Sequence, residues 1–393
     1  MSASSRRGSG GDRGRSTAAG AKASPLPGPR IRYTSGVPAP ALPARIAAVG
    51  RALPAHAYDQ ETLLAALQRH WGDRVHNPAR LEQLHRNALV RERHLALPLE
   101  AYPALDSFGA ANDAWIRCAV DLGEQALRDA LDRAAVRPDE VRHLYFVSVT
   151  GIATPSIDAR LCNRMGLRSD LKRTPIFGLG CVAGAAGVAR AADVLRAFPD
   201  EVAVLLSVEL CSLTLQRGDL SIPNLIASGI FGDGAAAVVL TGAERAGVGP
   251  RVVATRSVFY PGTESVMGWE VGSAGFRVVL SGEVPRLALG IRKDVDEFLA
   301  AHDLSLAEIG SFVCHPGGPK VLEAFERALE LPREALGLTW RSLRDVGNLS
   351  SASVLFVLGD TLALRPPAPG TYGLMIAMGP GFCSELVLLR WEA

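Results

Sequence analysis

Three residues stand out by type and by the pattern around them. Cys181 follows the apolar run TPIFGLG and opens a stretch of small residues, VAGAAGVARAADVLRAF, that reads as a helix. A thiol at a helix start feels the positive end of the helix dipole, which favours the nucleophilic thiolate. His315 ends the strand GSFVC and is followed by Pro316, Gly317, Gly318 and Pro319. That places it at the C-terminal end of a strand, where open α/β sheets keep their sites. Asn348, in VGNLSSASVLFVL, stands between Gly347 and a run of small and apolar residues. Its amide either caps that helix or donates to a developing oxyanion. Singly, each has a bland reading: an inert core thiol, a satisfied histidine, an N-cap. Together they supply a nucleophile, a partner for its thiolate and a second hydrogen-bond donor.

All three close a strand or turn and open a helix, so the elements around them must bring their ends to one edge of the fold. ETLLAALQRHW, PARLEQLHRNAL and NDAWIRCAVDLGEQALRDALDRA carry apolar residues at helical spacing. HLYFVSVT, VAVLLSVEL and AAAVVLTG read as strands. A second round runs through VVATRSVFY, FRVVLS, the helix ALGIRKDVDEFLAAHD, the strand GSFVCHP and the helix PKVLEAFERALE. It closes on TYGLMIAMGPGFCSELVLLRWE, two strands flanking a Gly-rich turn. Continuous apolar strands alternating with helices predict a sheet covered on both faces. Two rounds predict two similar α/β halves, residues 43–245 with Cys181 and residues 246–393 with His315 and Asn348. Residues 1–42 are rich in Gly, Ser, Pro, Ala and Arg without a hydrophobic period, which predicts a disordered tail.

Composition narrows the function classes. The 393 residues suit two packed halves, and 48% hydrophobic with 21% charged residues is globular. The 42 basic and 40 acidic residues nearly cancel, so no electrostatic case exists for a nucleic-acid partner. Lysine occurs only at positions 22, 172, 293 and 320, so a phosphate-bearing substrate must rely on arginine forks or backbone N–H groups. The six cysteines form no C-x-x-C pair and no zinc-spaced cluster, and no metal is expected. They read as reduced thiols in a cytoplasmic enzyme, in line with a start that lacks an apolar leader. No run of about 18 apolar residues predicts a membrane span.

Five segments, GLGCVAGAAG, CHPGGPKVLE, GNLSSASVLF, FGDGAAAVV and MGPGF, resemble in order and spacing the signature segments of type III polyketide synthases, the chalcone synthase-like family. The resemblance covers about residues 45 to 390. It implies a thiolase fold of layered αβαβα architecture, a homodimer, and coenzyme A thioesters as substrates, with no metal or redox cofactor. By that resemblance Cys181 takes the starter acyl group, and His315 with Asn348 binds the malonyl-CoA thioester carbonyl during decarboxylation and condensation. Phe231 matches the gatekeeper between the coenzyme A tunnel and the cavity, Phe276 a second gatekeeper, and Gly268 a small cavity-lining residue. Arg80 and Arg86 fall near the coenzyme A phosphate contacts, where Gln83 replaces one basic position. The segments VTGIATP and VELCSLTLQR resemble bacterial alkylpyrone and alkylresorcinol synthases. They place Thr150, Thr154, Cys211 and Thr214 in the substrate-binding set, most of them around an alkyl tunnel. The resulting expectation is a medium- to long-chain fatty acyl-CoA starter extended with malonyl-CoA two or three times and cyclised to an alkylpyrone or alkylresorcinol-type product. A malonyl-primed synthase of the tetrahydroxynaphthalene-forming type is the alternative. An initiating ketoacyl-ACP synthase is a remoter one, since that group typically shows His-Gln-Ala-Asn where this chain has HPGGPK.

Overall fold

The computed structural model describes residues 43–392 except His76, so the tail expected at residues 1–42 lies outside the described residues. Nine strands form one mixed sheet. Their spatial order is Ile309–Cys314, Tyr372–Gly379, Cys383–Arg390, Arg251–Phe259, Arg45–Ala52, Asp233–Thr241, Val202–Leu210, Val141–Val147 and Lys172–Ile176. The two rounds of the sequence meet where Arg45 pairs with Arg251. Outward from that seam each side shows the same pairing: antiparallel, antiparallel, then parallel. The N-terminal side adds Lys172–Ile176 as a further parallel strand.

Side-chain alternation turns this sheet into layers. In Val202–Leu210, Ala203 and Leu205 join a core built on the helices Ala183–Ala197 and Ser353–Leu364, while Val202, Val204 and Leu206 pack toward the helix Phe108–Ala134. In Tyr372–Gly379, Met375 and Ala377 enter the same central core, while Leu374, Ile376 and Met378 pack toward Ile291–Ala300 and Pro319–Ala328. The two halves of the sheet thus share Ala183–Ala197 and Ser353–Leu364 as a middle layer and carry separate outer helices, the αβαβα order expected. Every residue of Val202–Leu210 and of Asp233–Thr241 is buried, which is why those strands read as unbroken apolar runs.

The middle layer demands small side chains. A Cβ on Gly184 would stand 2.2 Å from the Ser351 carbonyl oxygen, so the Gly/Ala run lets the two central helices touch. That contact fixes Cys181 against the segment carrying Asn348. Two expectations change. ALGIRKDVDEFLAAHD is not one helix but Val284–Leu289 and Ile291–Ala300, divided at Gly290, a weak helix former. The strand within FRVVLS stays out of the main sheet, because Gly275–Leu280 pairs locally with Met267–Gly272 as a hairpin. This hairpin forms one wall of the cavity described next.

Candidate active site

Cys181 lies in a short 3-10 turn, Gly180–Val182, at the head of the helix Ala183–Ala197. Gly180 has φ +54°, and a Cβ there would meet the Pro380 ring at 2.7 Å. Only glycine lets the Gly379–Gly381 turn close over the thiol. Cys181 is buried, and its Sγ stands 3.7 Å from Ser350 Oγ. Burial pushes its thiol up to about 12, against the pull of the Ser350 hydroxyl and the Asn348 amide; nearby Glu209 adds to the rise. The thiolate expected from the helix dipole is therefore not the resting state, because desolvation outweighs the dipole.

His315 follows the strand Ile309–Cys314, and its backbone N–H donates to the Ile376 carbonyl. The ring is buried beside Gly317, and among the described residues neither Nδ1 nor Nε2 has a partner. Burial lowers its pKa to about 3, so the imidazole is neutral near pH 7. Asn348 meets the same turn from the other side, with Nδ2 donating to the Gly317 carbonyl at 3.4 Å. Its Oδ1 accepts from Ser350 N–H at 2.8 Å and from Ser353 Oγ at 3.4 Å, so the cap role exists as well. Those bonds hold Ser350 at φ +48°, the left-handed region, with its hydroxyl toward Cys181. Phe231 bridges Asn348 through the backbone: Gly232 N–H donates to the Asn348 carbonyl and Asn348 N–H to that of Ile230. Asn348 thus links Cys181, His315 and Phe231. No hydrogen bond among the described residues joins Cys181 directly to His315.

Behind the thiol sits Glu209, fully buried in an otherwise apolar strand. Its Oε2 accepts from Val149 N–H (3.1 Å), Thr150 Oγ1 (3.0 Å) and Ser148 Oγ (3.3 Å), and Oε1 from Ser351 Oγ. Burial raises its pKa to about 7, against the pull of those donors. Sequence reading passed over Glu209 and Ser350. A carboxylate inside VAVLLSVEL was the available signal for the first, since a buried acid requires dedicated partners.

A cavity of about 620 Å³ opens from Cys181. Thr150, Cys211, Thr214, Phe231, Gly268 and Phe276 line it. Phe276 is buried by Phe108, Phe177 and Trp269, at ring-centroid distances of 5.3, 6.2 and 5.9 Å. Thr154 does not line the cavity and is exposed, which corrects its placement in the tunnel. The Asn112 side chain holds both N–H and C=O of Ile152, and this turns the chain outward after Thr150. Arg80 and Arg86 also lie outside the lining, on exposed positions of the helix Pro78–Asn87; Arg86 approaches Glu82 at 3.7 Å.

Layering, paired half-sheets and a cysteine at the head of a central helix define the thiolase fold. The chalcone and stilbene synthase N-terminal domain matches residues 37–244 and the C-terminal domain residues 251–391. A 1,3,6,8-tetrahydroxynaphthalene synthase of Streptomyces peucetius subsp. caesius is 53% identical over 88% of this chain and 93% of its own length. A putative chalcone synthase of Bacillus subtilis (strain 168) is 36% identical over 88% and 98%. The crystal structure of the 1,3,6,8-tetrahydroxynaphthalene synthase of Streptomyces coelicolor A3(2) superposes with TM-score 0.84 at 31% identity, covering 89% of this chain and all of that one. The chain belongs to the chalcone and stilbene synthase family: it is a type III polyketide synthase, an acyl-transferring enzyme.

Proposed function

We propose that this synthase uses malonyl-CoA as both starter and extender and closes the resulting poly-β-ketone to a fused aromatic product of the tetrahydroxynaphthalene type. The observation that carries the chemistry is the buried, neutral, partnerless imidazole of His315 beside the Asn348 amide. Buried polar groups in a folded protein are nearly always paired, so two orphaned ring nitrogens mark a place for a ligand. In the proposed cycle Cys181 attacks the starter thioester and its proton passes to His315; coenzyme A leaves with a proton. A second malonyl thioester then loses CO₂. The electron pair moves onto its carbonyl oxygen, held by a His315 ring N–H and the second Asn348 N–H. The enolate carbon attacks the acyl-cysteine, and the chain grows into the cavity. Phe231 and Phe276 stand as gates on the lining, and Arg80 and Arg86 are the candidates for the coenzyme A phosphates.

The malonyl starter is supported by the name and 53% identity of the Streptomyces peucetius relative. It is also supported by the polar cavity residues Thr150, Ser212, Thr214, Gln216 and Asn224, which suit a chain of carbonyls. The fatty acyl starter remains a second reading, favoured by the leucines 63, 67, 99 and 105 along the same cavity. Product mass spectrometry with malonyl-CoA alone, and then with acyl-CoAs of increasing length, separates the two. Products that form only when an acyl-CoA is added overturn the malonyl reading. We further propose a cytoplasmic homodimer, supported by the family and by exposed Ile152 and Phe177. Light scattering of the purified chain tests the dimer. Among the described residues, no helix is long and apolar enough to cross a membrane.

A further inference from the structure

A second chain of polar groups reaches the cavity from another direction. Tyr102, which lines the cavity, has its hydroxyl 2.5 Å from Ser212 Oγ, and Ser212 is also a lining residue. Ser212 Oγ in turn contacts Asp233 Oδ2. Asp233 is fully buried, yet its remaining contacts are two backbone N–H donors, Ser212 to Oδ1 at 2.8 Å and Ala96 to Oδ2 at 2.6 Å. With N–H groups on both oxygens, the ionised carboxylate is the form these contacts suit, and the Ser212 hydroxyl must donate to it. Ser212 Oγ is then the acceptor for Tyr102; the phenolic oxygen also takes a contact from the Leu97 backbone, which leaves one lone pair on it. A structural bracket needs only the two backbone bonds; the hydroxyl and the phenol are additional and run to the cavity wall.

We propose that Tyr102, Ser212 and Asp233 form a proton relay in which Tyr102 is the catalytic base for carbon–carbon ring closure. This rests on the reading of the cavity as the place where a poly-β-ketone grows. A methylene between two carbonyls gives its proton to the Tyr102 oxygen, the phenolic proton moves to Ser212, and the Ser212 proton moves to Asp233. The resulting enolate carbon bonds to a ketone carbon of the same chain. The alkoxide so formed takes a proton back from Tyr102 as the relay reverses, so no proton or electron is gained or lost. Without the relay, an enol oxygen attacks the Cys181 thioester instead and the chain leaves as a pyrone lactone. Asp233 titrates among charged or titratable neighbours that include Arg93, Tyr102 and Cys118, and burial raises its pKa to about 6. A neighbouring carboxylate of that pKa can take up and return a proton near neutral pH.

The test is the ratio of carbocyclic product to pyrone, per coenzyme A released from malonyl-CoA, in wild type, Tyr102→Phe, Ser212→Ala and the double variant. Phe keeps the ring, and Ser212→Ala cuts the relay while leaving the phenol in place. Each single change is expected to lower the ratio about 100-fold, the low end of general-base catalysis, and the double variant no further. An unchanged ratio in Ser212→Ala, or additive losses in the double variant, overturns the relay. So does a fall in coenzyme A release at constant ratio, the mark of a packing role. If Tyr102→Phe does not fold, Ser212→Ala alone decides. A wild type that releases no coenzyme A from malonyl-CoA refutes the functional reading instead.

Discussion

Glu209→Gln is expected to stabilise the protein at high pH and to do little at low pH. Thr150 Oγ1 already accepts from Leu210 N–H and Trp115 Nε1–H, so its own hydrogen goes to Glu209 Oε2 or to Ser148 Oγ at 3.2 Å, whose hydroxyl then donates to Oε2. Oε2, which also takes the Val149 N–H, can therefore only accept. Oε1 faces Ser351 Oγ, whose other neighbour is Ser207 Oγ at 2.8 Å. A proton on Oε1 is satisfied there, and a glutamine with its oxygen at the Oε2 position and its NH₂ toward Ser351 reproduces the protonated acid. The folded state raises Glu209 from 4.5 to about 7, so it binds the proton more tightly than the unfolded chain does. The associated stability is fully present below about pH 4.5 and is lost as pH rises through about 7. A shift of that size corresponds to about 3 kcal/mol, which Gln does not lose. With an unfolding entropy near 2.1 cal/mol/K per residue and roughly 350 folded residues, this is about 4 °C in Tm. Melting curves of both proteins at matched scan rate from pH 5 to pH 8.5 measure it: the variant-minus-wild-type difference should climb by about that amount. A flat difference, or one that falls with pH, would refute the assignment of Glu209 as a destabilised buried acid.

Three further outcomes are expected. Cys181→Ala should show no acyl adduct by intact-protein mass after incubation with malonyl-CoA, while folding normally; a full adduct on the variant would move the nucleophile elsewhere. Replacing His315 or Asn348 with Ala should slow malonyl-CoA decarboxylation by about 100-fold or more, the scale of a lost oxyanion donor. Because Asn348 also caps the Ser350 turn, Asn348→Ala should in addition lower Tm, and a variant that is destabilised yet turns over normally per folded molecule would reduce it to a cap. Cys211→Phe places a ring in the cavity wall and should shorten the products, read as a fall in mean product mass, without preventing acylation of Cys181. Unchanged product masses would remove Cys211 from the chain-bearing part of the cavity.

Most of the site was legible because it lies at boundaries between elements, where residue type changes abruptly. Cys181 before a Gly/Ala helix, His315 before Pro-Gly-Gly-Pro and Asn348 after Gly347 are local signals, and each falls where the chain turns. The cavity wall was less legible, because its residues converge from helix, hairpin and loop segments far apart in sequence. Thr154 shows the limit: it is four residues from Thr150, but the anchor that carries it outward is Asn112, about forty residues earlier. Ser350 was hidden for a different reason. A serine two residues after the asparagine looks like ordinary helix-start composition, and only the backbone at φ +48° turns its hydroxyl toward the thiol.

The electrostatics of Cys181 and His315 bear on how the site avoids wasteful chemistry. Burial raises the thiol and lowers the imidazole, so both groups rest neutral, and among the described residues neither has an ionised partner within hydrogen-bond reach. The helix dipole, Ser350 and Asn348 favour the thiolate, but desolvation outweighs them. The balance changes when a thioester enters. In the proposed cycle, proton transfer from thiol to imidazole accompanies bond formation, and the negative charge moves to a carbonyl oxygen rather than staying on sulfur. The donors His315 and Asn348 are bound to the turn around Gly317, and Ser350 and Phe231 are tied to Asn348. One asparagine therefore connects Cys181, His315 and Phe231, the proposed nucleophile, oxyanion donor and gate. A displacement of its segment disturbs all three at once. The close contact between Gly184 and Ser351 packs that segment directly against the helix that Cys181 heads.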